Sequence, residues 1–349
     1  MEPAASWHCP TNFDSEPDRV TLAHGEGGRG SREFLRQHIL KRFPQVANSM
    51  SDAACLTTHQ SHLAFTTDSF VVAPLFFPGG DIGKLAVIGT ANDLAVSGAK
   101  PMWLSLSLII EEGFSVTVLE RILDSIAATA AEVDMTIVTG DTKVVPRGCV
   151  DGLFINTSGI GVLLPEHVKH ARSLIPGDVI LVSGPIGQHG FAVLASREKF
   201  EMQSELTSDC GLLWPAVAAL HAANIPTKTI RDATRGGMAA VLHEWADACG
   251  HSLCIDQNQI PVTSEVRGLS ELLGIDPLFV ANEGTMLVAV PASVADMALE
   301  VLRAVPISRH SQRIGVVEPR QIVPVSVIRT LKRRIPLDEP LGAMLPRIC

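Results

Sequence analysis

Short apolar runs that read as strands alternate with runs of helical period along most of this chain. That alternation restricts it to a mixed α/β architecture. Residues 63–67 read as a strand stopping at Asp68, 81–99 as a helix, 102–110 as a half-buried strand and 116–133 as a helix. Residues 135–140 read as a strand stopping at Asp141, and 152–164 as a long strand with glycines. Pro176-Gly177-Asp178 then opens a second series. It holds a strand VILVSG, helices near 189–198, 211–223, 238–249, 265–273 and 293–304, the segment LCI, and strands at 285–290 and 313–317. The predicted organisation is a mobile extension 1–20, an N-terminal domain 21–165, a C-terminal domain 166–324 and a flexible arm 325–349. Pro336, Pro340 and Pro346 deny that arm a long helix.

Composition narrows the function classes. The chain has 349 residues, 46% hydrophobic and 19% charged, enough to bury large cores. A net charge of −9, 5% aromatic residues and no Tyr speak against nucleic-acid backbones and base stacking. No run reaches the eighteen apolar residues of a membrane span, and the acidic first twenty residues lack a signal-peptide pattern. The expectation is a soluble cytoplasmic protein. The seven cysteines form no CxxC pair, which argues against a zinc site and a disulfide framework.

Chemistry-bearing residues gather in a few places. Gly25, Gly27 and Gly30 form GxGxxG ahead of a helix, which is either a backbone cradle for phosphate or a plain loop. No GxxxxGK[ST] occurs, so a P-loop is excluded. Asp68, Asp141 and Asp232 lie at the ends of apolar strand-like runs, and Asn92-Asp93 interrupts an apolar helix. Singly such residues cap turns; as a set they suit nucleotide-bound Mg²⁺, which takes one or two carboxylates plus phosphate oxygens. Thr142 and Lys143 follow Asp141, and Lys143 is either a surface cation or a contact for a transferring phosphoryl group. Arg231-Asp232-Ala233-Thr234-Arg235-Gly236-Gly237 is a second glycine turn into a helix. Glu283, in Asn-Glu-Gly, reads as a turn residue or a base. Cys349, the last residue of the sequence, sits on the proline-broken arm. Thirteen residues beyond Pro336 span up to about 45 Å, so its thiol could act as a group carrier.

Taken together, AHGEGGRGS, the block from Asp68 to Pro101, GDTKVV, DGLFINTSGIG, PGDVILVSGPIGQHG, RDATRGGMAAVLHE, NEG and terminal LPRIC resemble the HypE family of hydrogenase maturation proteins. The resemblance runs from about residue 20 to 349. It implies the two-domain α/β fold of the aminoimidazole ribonucleotide synthetase-like superfamily, with N-terminal sheets pairing in a homodimer and ATP-Mg in the groove between domains. It implies a Cys349 thiol carbamoylated by a HypF-like carbamoyltransferase. ATP-dependent dehydration to a thiocyanate then supplies the cyanide ligand of [NiFe] hydrogenase through a HypC–HypD-like scaffold. Asp68, Asp93, Asp141 and Asp232 would hold Mg²⁺ and phosphates, with Asn92, Thr142 and Thr234 assisting. Lys143 would contact the γ-phosphate or the carbamoyl oxygen, and Glu283 would be the base. Gly27, Gly28, Gly236 and Gly237 would let backbone approach the phosphates. The alternative is another ATP-dependent enzyme of the superfamily, selenophosphate synthetase-like or thiamine-monophosphate kinase-like.

Overall fold

The computed structural model describes residues 28–34, 36–37, 54–57, 62–165, 170–197 and 206–340. The extension 1–20, Gly27 and Cys349 lie outside the described residues.

The first unit is a five-stranded sheet in the order β1-β2-β7-β5-β6. Its strands are β1 (Ala54–Thr57), β2 (His62–Phe70), β5 (Ala99–Glu111), β6 (Thr136–Val145) and β7 (Leu153–Leu163). A small hairpin of β3 (Phe76–Phe77) and β4 (Gly80–Asp81) precedes helix α2 (Ile82–Val96). Asp81 caps α2, accepting from the amides of Gly83 at 2.7 Å and Lys84 at 3.2 Å. Thirteen of its fifteen residues are buried, so α2 has no amphipathic stripe. A helix apolar all round must be covered all round. The sheet covers one side and α3 (Val116–Glu132) another. Ala95 and Val96 near its end pack instead into the core of the second unit.

The second unit is a seven-stranded sheet in the order β14-β13-β10-β12-β8-β11-β9. Its strands are β8 (Val179–Val182), β9 (Thr229–Asp232), β10 (Ser252–Asp256), β11 (Met286–Val290), β12 (Gln312–Glu318), β13 (Val325–Ile328) and β14 (Arg334–Pro336). Helices flank both faces. Ile180 and Val182 meet α6 (Gly237–Cys249), while Val179 and Leu181 meet α5 (Trp214–Ala222) and α8 (Ala295–Arg303). Two-sided cover explains why β8 and β11 read as unbroken apolar runs. Helices α4 (Gln188–Arg197) and α7 (Ser264–Leu273) complete the unit.

Two expected boundaries change. Residues 325–340 are not a free arm. β13 pairs parallel with β10, and Val325 and Val327 are fully buried. Leu337 is buried too, and its amide donates to Val325 O at 3.0 Å. The prolines that forbid a helix here are compatible with an edge hairpin, which the sequence reading did not weigh. Second, α1 (Gly28–Phe34) docks on the C-terminal unit, not the N-terminal one. Arg32 pairs with Asp247 of α6 and with Glu339, and the Arg29 amide donates to Pro340 O.

Val325, Val327 and Leu337 together bury apolar surface worth about 5 kcal/mol, comparable with the whole stability of a domain. A chain ended after Pro324 is therefore expected to lose its cooperative thermal transition. One ended after Pro340 is expected to melt within a few degrees of the full-length protein.

Candidate functional site

The two units are joined by a polar brace at the end of α2. Asn92 is buried and uses its whole amide on backbone: Nδ2 donates to Gly211 O at 3.1 Å and Glu283 O at 3.0 Å, and Oδ1 accepts from Leu213 N at 2.8 Å. Asp209 holds the same turn from the other side. It accepts from the amides of Glu283 and Gly284 and from Thr285 Oγ1, all at 3.0 Å. These bonds fix the backbone of Asn282-Glu283-Gly284.

Carboxyl groups from both units converge beside this brace. Asp68 shares the helix-facing side of β2 with the buried Thr66 and Phe70. It is hydrogen-bonded to Asp93 on α2, and Thr66 Oγ1 donates to Asp93 Oδ2 at 2.7 Å. Asp232 ends β9, and Glu283 lies in the loop three residues before β11. Glu283 Oε2 is 3.8 Å from the point a Cβ on Gly89 would occupy, so the carboxylate lies against α2. That same Cβ would come within 2.8 Å of the Phe70 ring, so only glycine lets α2 approach the sheet this closely.

The electrostatics follow from crowding. Burial pushes the Glu283 carboxyl well above its ordinary value, and the charges of Asp232, Asp209 and Asp68 push it further; Arg235 opposes them. Asp68 is raised by burial, against the pull of Arg235 and the hydrogen bond with Asp93. Asp232 is raised by burial, with Asp68 adding to the shift and Arg231 opposing it. Carboxylates raised this way are those a cation would neutralise.

The second glycine turn borders the same groove. Gly236 and Gly237 have φ of +77° and +61°, and no side chain caps α6, which Gly237 opens. A Cβ on Gly237 would meet Leu278 O and Val280 O at 2.7 Å. The Gly237 N–H is spent on Thr234 O at 2.8 Å, but the uncapped first turn of α6 beyond it can still offer backbone amides to an anion.

The structure thus gathers Asp68, Asp93, Asp232, Glu283, Thr234, Gly236 and Gly237, with Arg235. Asn92 lies beside them, but its hydrogen bonds go to backbone, so it joins the units rather than meeting a nucleotide. Asp141, Thr142 and Lys143 are elsewhere in the chain. β6 is the edge strand, three strands and about 14 Å from β2 at ordinary strand spacing. The pairing of Asp141 with Ser107 and of Lys143 with Ile109 puts both on the sheet face opposite Asp68. The expected four-carboxylate metal set therefore does not form within one chain. Both aspartates lie inside their strands rather than at the expected ends, since β2 runs to Phe70 and β6 to Val145; an Asp closing an apolar run looks alike in sequence, whereas strand order and facing belong to the sheet. Among the described residues no three His, Cys, Asp or Glu side chains are drawn close enough to close round an ion. The oxygen donors of Asp68, Asp93 and Asp232 still suit Mg²⁺ that arrives with phosphate oxygens. Asp209 is the residue the sequence reading missed. Its only signal was an Asp in a loop between helices.

Comparison with known proteins agrees with this layout. The family model "AIR synthase related protein, N-terminal domain" matches residues 50–163, and "AIR synthase related protein, C-terminal domain" matches 176–328. The chain is 44% identical to carbamoyl dehydratase HypE of Escherichia coli (strain K12) over 339 residues, 95% of this chain and 100% of that one. The chain belongs to the HypE family. Solved HypE structures share the fold. The HypE of a HypE–HypF complex superposes with a TM-score of 0.80 at 40% identity, covering 86% of this chain and 100% of that one. A HypE in complex with ATP gives 0.79 at 38%, covering 94% and 100%. Selenophosphate synthetase-like and thiamine-monophosphate kinase-like readings give way to HypE membership across nearly the whole chain.

Asn92→Ala leaves the Gly211 carbonyl and the Leu213 amide unpaired, while Glu283 O keeps the Gly211 amide at 3.4 Å; each buried orphan costs about 1–3 kcal/mol. The expected loss is about 3 kcal/mol in urea unfolding. The raised Glu283 pKa has a sign: the folded protein binds more protons than the unfolded one above the ordinary carboxylate value, so stability falls as pH rises through that window. Glu283→Gln is expected to flatten this fall in melting curves recorded against pH.

Proposed function

We propose that this protein is an ATP-dependent carbamoyl dehydratase of hydrogenase maturation, with Cys349 as the carrier of the carbamoyl group. The observation that carries the reading is the meeting of Asp68 and Asp93 from one unit with Asp232 and Glu283 from the other, beside the Gly236-Gly237 turn. The HypE relative crystallised with ATP supports nucleotide as the ligand of this groove.

The chemistry suits these residues. A carbamoyl oxygen is a poor leaving group until phosphorylated. The carbamoyl oxygen on Cys349 attacks the γ-phosphorus, ADP departs, and a phosphorylated imidate forms with loss of one N–H proton. Departure of phosphate with that oxygen, and loss of the second proton, leaves the thiocyanate. The balance is S-carbamoyl plus ATP to thiocyanate, ADP and phosphate. Glu283 takes the nitrogen proton; burial and the neighbouring carboxylates raise its pKa, which makes the carboxylate a stronger base than an exposed one. The Gly236-Gly237 turn and Arg235 hold phosphate. Mg²⁺ held by Asp68, Asp93 and Asp232 would offset charge on the transferring phosphoryl group.

The open face of the N-terminal sheet supports a homodimer. Phe65, Trp103 and Ile109 are 38%, 39% and 36% exposed on it. A second copy of the chain covers this face, which also bears Asp141 and Lys143, so their part in phosphate or carbamoyl contact belongs to a site that two chains build. A HypF-like carbamoyltransferase loads Cys349, in line with the HypE–HypF complex. A HypC–HypD-like scaffold accepts the cyanide. No helix among the described residues is long and apolar enough to cross a membrane. A cytoplasmic reaction is part of the proposal.

The test is mass spectrometry of the peptide bearing Cys349, after mixing the protein with a carbamoyltransferase partner, carbamoyl phosphate and Mg-ATP. Carbamoylation followed by ATP-dependent loss of one water's mass is expected, and none with Cys349→Ala. ATP hydrolysis with Cys349 unmodified would overturn the carrier reading.

A further inference from the structure

Arg32 is a buried arginine, 8% exposed, on the seven-residue α1. Burying a guanidinium is costly unless it is paired, and Arg32 has two acids: Glu339, which it touches closely, and Asp247 of α6, with Nη2 to Oδ2 at 3.4 Å. Its Nη1 has no hydrogen-bond partner. Neighbouring contacts hold the same stretch of chain. His243 Nε2 donates to Leu337 O at 3.0 Å, and the amide of Arg29 donates to Pro340 O at 3.0 Å. The Pro340 ring lies 3.6 Å from where a Cβ on Gly236 would stand. Pro340 therefore sits between the start of α1 and the glycine turn at Gly236-Gly237.

Nine residues follow Pro340 in the sequence, and the ninth is Cys349. Nine residues reach at most about 30 Å, so the point from which they start governs where the thiol can go. We propose that Arg32 is a positioning residue for the carrier segment: by clasping Glu339 against Asp247 it pins Pro340 between the start of α1 and the Gly236-Gly237 turn. The thiol then starts its excursion beside the carboxylate groove of its own chain. Arg32 touches no reacting atom in this account. It acts through Glu339 and Pro340 on the effective concentration of the carbamoyl group at the site. The idea rests on the reading of Cys349 as the carbamoyl carrier.

The test compares delivery with chemistry. Arg32→Met keeps the length of the side chain and removes the charge; Glu339→Gln leaves Arg32 its pair with Asp247. Each variant, carbamoylated on Cys349, is mixed with Mg-ATP in a single turnover. Dehydration is expected to slow about tenfold, with the KM for ATP unchanged. In a Cys349→Ala background, dehydration of a synthetic S-carbamoylated peptide of residues 341–349 is expected to proceed at the same rate with and without Arg32→Met. An unchanged single-turnover rate in both variants would overturn the proposal. So would a parallel loss with the free peptide, because Arg32 would then serve the fold or the groove. Hydrogen exchange separates this result from failure of the carrier reading. Amides 337–339 are expected to exchange faster in Arg32→Met whether or not Cys349 carries anything, and unchanged exchange would sink the clasp by itself.

Discussion

Four carboxyl groups drawn together out of water repel one another, and the interface between the two units is arranged around holding them there. Asn92 and Asp209 supply the restraint. Asn92 is buried and Asp209 half-buried, and between them they make six hydrogen bonds to the turn bearing Glu283 and to the segment before α5. A buried polar group this fully satisfied specifies one arrangement and is expensive to break. The brace therefore keeps Glu283 against α2 and facing Asp68 and Asp232 despite the charge. The unfavourable electrostatics are then available for ligand binding, since a cation and phosphate donors relieve them.

Helix α2 makes that interface possible. It carries Asn92 and Asp93 in an otherwise apolar helix, lies on the first sheet through Gly89, and sends Ala95 and Val96 into the second core. The units thus share a hydrophobic contact at one end of the helix and a polar site beside it. Apolar packing provides the rigidity; the polar residues provide the chemistry. The second glycine turn enters from the other unit, where β9 delivers Asp232 and α6 begins without a side-chain cap.

Much of this was legible in the sequence. The α/β alternation and most helix limits followed from periodicity, because a half-buried strand and an amphipathic helix leave distinct patterns. α2 was legible for a different reason: an apolar run of its length, opened by Asp81, reads as a helix whatever surrounds it. Asp68 and Asp232 were legible as acids closing apolar runs, Asp93 as an acid interrupting an apolar helix and Glu283 as an acid in a turn; β2 in fact continues past Asp68 to Phe70. β13 was not. Four residues between prolines carry too little pattern to outweigh a basic, proline-broken neighbourhood, and their strand state comes from the parallel partner β10, seventy residues away.

The sequence by itself determined the kinds of element, the polar residues at their ends, and membership of the HypE family through motifs extending to Cys349. Only the tertiary structure decided which of those polar residues meet. Asp68 and Asp141 look equivalent in sequence, each an Asp closing an apolar run. The order of strands separates them by three positions, and the pleat turns them to opposite faces. Facing and adjacency are set by register between strands distant in sequence, and no local pattern records them. The same holds for Asn92, whose hydrogen-bond partners lie more than a hundred residues on, and for Arg32, whose acids come from α6 and from the root of the segment bearing Cys349.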